Sequence, residues 1–475
     1  MAKQLQKTIG LWSATSLVIG SIIGAGIFMR PATMAGQLHS PTLMLAVWII
    51  GGVISLFGAM IYAELGSMYP TTGGPYVYLQ EMYGDLPAFL YGWSSLVVIN
   101  TAALASFAFV CADYAGWFVH LPHFDAGTEH LIKWHIPFLA DIYPLENFGT
   151  KTLAILILAL LTVVNYRSLR GGNGLQIVAT VLKALALILV IGGILLSGQG
   201  HPANFVTNGP GFQPQPWLIF TAVMAAASGA FSTYDGWYNI NMMAGEVINP
   251  QRNISRSLFL GLGACIGIYL LANLAYLYVL PVNTMAHSTL VAADAVKIVL
   301  GKSGAALIAG LIIISCFGAA QNNFIANARV TFLMGQTGDF FAWTGRIQPK
   351  YGTPGNAMII MGIWSMLFIL SGSFDIMADM FVFMSWVFYG LTAIGLLILR
   401  RKRPDLPRPY SIGGYPWLPI LFILFTLFYL CTTIYNDITA YSAGKAPIIN
   451  SVFGLVLTAA GIPFYWYFQR QKRKT

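Results

Sequence analysis

The stretch Gly20-Ser21-Ile22-Ile23-Gly24-Ala25-Gly26-Ile27-Phe28 interrupts the first long apolar segment of the chain near its middle. Glycine weakens a helix interior by roughly 1 kcal/mol relative to alanine, and three glycines fall together here. At membrane depth, unwound backbone is tolerated only where it is buried in protein or lines a cavity. The N–H groups that it frees can hold a carboxylate, and the positive end of the half-helix that follows adds to the attraction. The competing reading is a small-residue face for close helix packing. A second interruption, Ser232-Thr233-Tyr234-Asp235-Gly236-Trp237, favours the first reading, because two matched broken helices point to a transport site at mid-membrane.

Composition sets the class. Of 475 residues, 57% are hydrophobic and 9% charged, against a usual charged share of about 25%. So few charges cannot cover the surface of a soluble domain, so the chain reads as a polytopic membrane protein. Apolar windows of about 20 residues fall near 12–36, 42–68, 86–119, 152–167, 174–197, 217–243, 257–280, 304–333, 356–371, 376–399, 416–436 and 448–468, giving twelve expected spans. The first is not a signal peptide, because apolar segments continue throughout and no small-residue cleavage site follows it.

The net charge of +9 is distributed by side. With the N-terminus inside, the cytoplasmic set holds Lys3, Lys7, Arg167, Arg170, Arg252, Arg256, Arg346, Lys350, Arg400 to Arg403, Arg408 and the tail from Arg470 to Lys474. The outside keeps Arg30, Lys133, Lys151, Lys297, Lys302 and Lys445. This asymmetry follows the positive-inside rule. The basic excess therefore reports topology and contact with anionic lipid, not nucleic acid. Cys111, Cys265, Cys316 and Cys431 all fall inside apolar windows, so no disulfide framework is implied and each reads as a small buried hydrophobe.

The second interruption falls five spans after the first, so the broken helices run in opposite directions. That is the mark of an inverted repeat, with spans 1–5 and 6–10 as the two halves and spans 11 and 12 appended. The expected boundaries are 1–200, 201–403 and 404–475. Loop 120–150, outside, is the longest connection, and 282–302 is the next.

At these motifs the chain resembles the L-type amino acid transporter (LAT) family of the amino acid–polyamine–organocation superfamily. Gly20 to Phe28 are similar to that family's opening Gly-Ser/Thr-Ile-Ile-Gly-Ser-Gly-Ile-Phe. Tyr234 to Trp237, followed by Glu246-Val247-Ile248-Asn249-Pro250-Gln251-Arg252-Asn253, resemble its sixth span. Thr72-Gly73-Gly74-Pro75-Tyr76 resembles the loop after its second span.

The resemblance implies an all-α membrane protein of LeuT-type fold with twelve transmembrane helices, a 5+5 inverted repeat and broken helices 1 and 6. It implies that the substrate carboxylate meets the N–H groups of Gly24, Ala25 and Gly26, and that the α-ammonium meets carbonyls at Ile22, Ser232 and Asp235. Charge agrees with this division, since N–H groups at a half-helix start suit an anion and freed carbonyls suit a cation. Two departures stand out. Ala25 replaces the family's serine, and Ser232 stands where the family has a phenylalanine that closes over the substrate. Phe231 is the neighbouring aromatic, though adjacent helical residues point about 100° apart. Tyr234 and Trp237 are read equally as gate or as packing.

Lys183 is read as the only basic residue well inside an apolar span. It lies about 13 residues past Arg170, or about 20 Å along a helix, farther than a stem of about 6 Å can snorkel. Buried intramembrane charges are rare and usually functional. The resemblance places a lysine here where sodium-coupled relatives bind Na⁺, so a fixed ammonium would tie span 5 to spans 1 and 8 and make sodium unnecessary. The alternatives are a lysine that couples protons and one that points into a wet cavity without a role.

Glu64, Asp113 and Asp235 are buried by position, Glu64 as a structural pair near the inner face and Asp235 as an orienter of the span 6 break. Asn100 and Gln321-Asn322-Asn323 bond between helices or line the pocket, the former being favoured. His120, His123, His130 and His135 share one outer loop with Asp125 and Glu129, in no standard zinc spacing. Gly301-Lys302-Ser303 imitates the end of a phosphate-binding loop, but Val296 stands where its first glycine belongs.

No enzyme motif and no cofactor is expected; a membrane-embedded enzyme and a channel are distant alternatives. The expected activity is sodium-independent exchange of neutral L-amino acids at the plasma membrane, with both termini cytoplasmic; a proton-coupled permease is second. Family members that link to a heavy chain do so through a cysteine in the loop after span 3. Loop 120–150 has none, so a single working chain is expected, without a heavy chain.

Overall fold

A computed structural model describes residues 7–136, 140–167, 169–288, 290–301, 303–371, 374–444, 446 and 448–473. Lys3, Lys302, Lys445 and Lys474 lie outside the described residues.

Among the described residues, ten helices are long and apolar enough to cross a membrane. They are Pro41–Met68, Asp85–Ala115, Phe148–Arg167, Gln176–Leu196, Pro216–Tyr234, Pro250–Val279, Ser303–Thr337, Asp379–Lys402, Trp417–Ser442 and Asn450–Lys472. Leu11–Ile22 and Gly26–Leu38, bent by 41° at the first interruption, add an eleventh when taken as one broken span. The ninth expected span is the apolar helix Gly355–Ser371, shorter at 17 residues. The structure thus gives eleven spans by length and composition, and this helix beside them. We keep the sequence numbering, so that span 1 is the broken pair, span 6 begins at Pro216, span 8 is Ser303–Thr337 and span 10 ends at Lys402.

The architecture is all-helical because backbone polar groups in hydrocarbon must be satisfied within the segment. Proline starts Pro41–Met68, Pro216–Tyr234 and Pro250–Val279, a position where its missing N–H costs nothing. One departure from pure helix sits in the loop after span 3, where Trp134–Ile136 pairs antiparallel with Ala140–Ile142.

Burial is inverted relative to a soluble protein. Leu156, Leu160, Leu182, Leu185 and Leu189 are exposed on spans 4 and 5, as lipid-facing surface. Glu64, Asn241, Asn322 and Arg329 are fully buried in the interior. Glu64 is held by Arg400 (2.5 Å) and Arg408 (3.5 Å) and by the backbone N–H of Ile412 (2.8 Å), near the side that carries the basic loops. Interior carboxylates and guanidinium groups are thus bonded in sets, as low dielectric demands.

Three sequence expectations change here. Asp113, read as buried, is exposed near the end of span 3. Lys183 is not the only basic residue inside a span, because Arg329 of span 8 is fully buried and forms a two-pronged pair with Glu246. Arg329 sits near the end of the apolar window 304–333. Cys431 is exposed on span 11 rather than buried, whereas Cys111, Cys265 and Cys316 are buried.

Candidate functional site

The first half of span 1 ends at Ile22 and the second begins at Gly26. The carbonyls freed at this break are met by side chains from distant spans. Lys183 Nζ donates to the carbonyls of Gly20 (2.5 Å) and Ile23 (2.6 Å). Tyr269 Oη, in span 7, donates to Ile22 O (2.9 Å). Ser315 Oγ, in span 8, reaches Ile23 O (3.3 Å) and Gly24 O (3.2 Å). The amides of Gly24, Ala25, Gly26 and Ile27 find no backbone acceptor among the described residues. The break therefore has its oxygens restrained and its N–H groups open, at the positive end of the helix Gly26–Leu38.

Span 6 supplies the opposite polarity. Its first helix ends at Tyr234, Asp235 is extended and Gly236 takes a φ of 97°, which a side chain would strain. A short helix, Asn239–Met242, follows. Tyr269 Oη also donates to Thr233 O (3.2 Å), so one hydroxyl joins both breaks. A Cβ added to Gly26 would lie 2.5 Å from Thr233 Oγ1, and one added to Gly236 would lie 2.8 Å from Ser21 O. The two interruptions meet. Gly20 serves the packing role instead, since an added Cβ would fall within 2.3 Å of both Asn322 Nδ2 and Thr180 Oγ1. Both sequence readings of the glycines thus apply, at different residues.

A small cavity lies at this junction. Ile22, Gly24, Gly26, Ser232 and Asp235 line it, as do Ser21 and Asn323. Ala25, the sixth residue of the predicted binding set, is buried and outside the lining. Phe231, Tyr234 and Trp237 also stand outside it. Phe231 packs on Trp386 (4.5 Å), Tyr234 on Tyr269 (5.2 Å) and Trp237 on Tyr62 (5.0 Å). The aromatic lining comes instead from Phe107 of span 3 and Phe381 of span 10. Phe107 stands directly over Gly24, 2.9 Å from where a Cβ would be.

Neither Phe107 nor Phe381 carries a sequence signal, because both stand among apolar neighbours on helices apolar all round. Asn323 both lines the cavity and joins helices, accepting from Asn239 of span 6 (3.2 Å) as well as from Asn327 of its own helix (3.1 Å). Gln321 exchanges two 2.8 Å bonds with Asn165 and is an interhelical tie. Asp235 accepts a 2.5 Å bond from Tyr389 Oη, which orients its carboxylate at the edge of the cavity.

On the side of the N-terminus the cavity is closed. Ile9 bridges Val247, the N–H groups of Thr8 and Ile9 donate to Glu246 O (2.9 and 3.0 Å), and Ile248 N–H donates to Ile9 O (2.8 Å). The Glu246 carboxylate pairs with Arg329 at 2.9 Å. Removing one partner of a buried pair leaves an uncompensated charge, at a cost of about 3–5 kcal/mol. Glu246→Gln should therefore markedly lower the melting temperature of the purified protein, and an unchanged melt would show that this pair does not support the closure. On the opposite side, Arg30 and Asp379 approach to 3.7 Å.

The facing helix ends offer N–H groups to an anion and carbonyls to a cation within one small cavity, which suits a zwitterion. A profile described as amino acid permease matches residues 9–458. The chain belongs to the amino acid permease family. The human b(0,+)-type amino acid transporter 1 is 29% identical over 469 residues, covering 98% of this chain and 89% of that protein. The human large neutral amino acids transporter small subunit 2 is 30% identical over 482 residues, covering 99% and 82%. The human cystine/glutamate transporter is 30% identical over 468 residues, covering 98% and 86%. This permease thus sits among LAT-family transporters, as its glycine motif and its Glu-X-X-Asn-Pro segment suggest, and it is a multi-pass membrane protein.

Proposed function

We propose that this permease is a sodium-independent exchanger of neutral L-amino acids that works by alternating access. The observation that carries the proposal is the meeting of two oppositely polarised half-helix ends in one cavity. Gly24 and Gly26 present amides to the carboxylate, with Ala25 between them behind the lining. Ile22, Ser232 and Asp235 present carbonyls to the α-ammonium, with Ser21 as a further neighbour. Phe107 and Phe381, rather than Phe231, Tyr234 or Trp237, supply the aromatic cover. A neutral side chain fits because Asp235, the charged residue in the lining, is already engaged by Tyr389.

Lys183 supports the sodium-independent reading, since its ammonium bonds the same span 1 carbonyls that a bound cation would use. Residues 1–200 and 201–403 form the inverted repeats in this reading, with Gly355–Ser371 as the ninth of twelve spans and 404–475 appended. The basic loops support a plasma-membrane protein with both termini cytoplasmic, so the closed face of the cavity is the cytoplasmic one. The absence of cysteine from 120–150 supports operation as a single chain.

Exchange requires that the empty carrier reorient slowly. Purified protein in liposomes should take up labelled neutral amino acid when the lumen contains unlabelled amino acid, and very little when the lumen is empty. The flux should be the same with sodium or choline outside. Equal uptake into loaded and empty vesicles would replace exchange by uniport or symport. Inactivity until a second polypeptide is added would overturn the single-chain reading.

A further inference from the structure

The end of span 12 and the turn after span 8 form a surface apart from the residues that line the cavity. Trp466 and Tyr467 are 59% and 51% exposed, and Phe341 and Trp343, in the turn, are 44% and 40% exposed. Phe468 lies buried between the two segments, with ring centroids 5.5 Å from Phe340 and 5.2 Å from Phe341. Arg470 and Arg473 extend from the same last turns, exposed and without an ion pair among the described residues. Amphipathic rings beneath basic tips match a membrane interface, the rings at headgroup depth and the guanidinium groups at phosphate level. An aqueous protein partner would leave this aromatic belt misplaced against the bilayer.

We propose that this surface binds the headgroups of anionic phospholipids, with Arg470 and Arg473 as the phosphate contacts. The bound lipid acts on the closed side of the cavity through Asp339. That buried carboxylate accepts from Lys472 Nζ (3.2 Å), Gln469 Nε2 (3.4 Å), Thr337 Oγ1 (2.6 Å) and Tyr76 Oη (2.7 Å). Tyr76 follows Gly73, whose N–H donates to Met242 O (2.9 Å) at the end of the resumed half of span 6. A lipid held at Arg470 and Arg473 fixes the helix end that carries Gln469 and Lys472, and so fixes Asp339 and Tyr76.

The test uses full-length protein in phosphatidylcholine bilayers containing either brominated phosphatidylglycerol or brominated phosphatidylcholine. The share of quenching due to Trp466 is obtained by comparison with Trp466→Phe. Quenching at Trp466 should be stronger with the brominated anionic lipid in the wild type. In Arg470→Gln/Arg473→Gln this preference should fall on the order of tenfold or more, since a basic residue near an anionic surface contributes about fivefold. Both changes leave Lys472 and Asp339 in place, and an unaltered melting temperature checks that the fold is intact. Equal quenching by the two lipids, or an undiminished preference in the double variant, overturns the site. Exchange by the wild type should also vary with the anionic lipid fraction, and exchange by the double variant should not. A rate that ignores the lipid while the quenching preference persists overturns the link through Asp339.

Discussion

Replacing Gly26 by valine should abolish amino acid uptake in a protein that still inserts and purifies. The reason is local. A Cβ at residue 26 would lie 2.5 Å from Thr233 Oγ1 and 2.9 Å from Thr233 Cβ and Cγ2, so the broken ends of spans 1 and 6 must separate. Displacing a binding constellation by about 1 Å can cost on the order of a hundredfold in rate, and valine adds two methyl groups beyond that Cβ. The proposed carboxylate amides at Gly24 to Gly26 move with the break. A second variant separates the site from general damage. Gly26→Ala alone should lose most uptake, and Gly26→Ala/Thr233→Gly, which removes the opposing side chain, should recover part of it. Wild-type uptake by Gly26→Val would show that the substrate does not bind at this junction.

Lys183→Ala carries the second large effect. Two carbonyls of the break, at Gly20 and Ile23, would lose a charged donor, and hydrogen bonds to charged groups contribute about 1.5–3 kcal/mol each. Ser315 still reaches Ile23 O, but Gly20 O would lose the Lys183 ammonium, its side-chain donor among the described residues. Exchange should therefore fall at least about tenfold. The same residue separates coupling modes in the wild type. With amino acid matched inside and outside, exchange that persists in the presence of a proton ionophore supports a fixed ammonium. Exchange that collapses when the proton gradient is dissipated transfers the mechanism to the proton-coupled permease. Sodium should make no difference in either case.

The two helix breaks that line the cavity were legible in the sequence because backbone demands are local. Gly24, Gly26 and Gly236 mark where a helix must stop and where side chains cannot stand, and their neighbours Ile22, Ser232 and Asp235 reach the cavity with them. Lys183 was legible for a similar reason, since a charge so deep in an apolar span has to find oxygen. The aromatic cover was not legible. Transmembrane helices are apolar around most of their circumference, so periodicity does not say which residue faces a cavity and which faces a neighbour. Phe231, Tyr234 and Trp237 turn to aromatic clusters on spans 2, 7 and 10, while Phe107 and Phe381 turn inward.

The sequence by itself determined the membrane class, the two helix breaks and the family. These rest on composition and on glycine, both read along the chain. Tertiary structure alone decided which donors restrain the broken carbonyls: Tyr269 is 247 residues from Ile22, and Ser315 is 292 residues from Ile23. It likewise decided that Arg329 turns inward to Glu246, 83 residues away, rather than outward to the interface. Such pairs depend on the rotation and depth of one helix against another. Those are set by packing between spans, and no local pattern in either span encodes them.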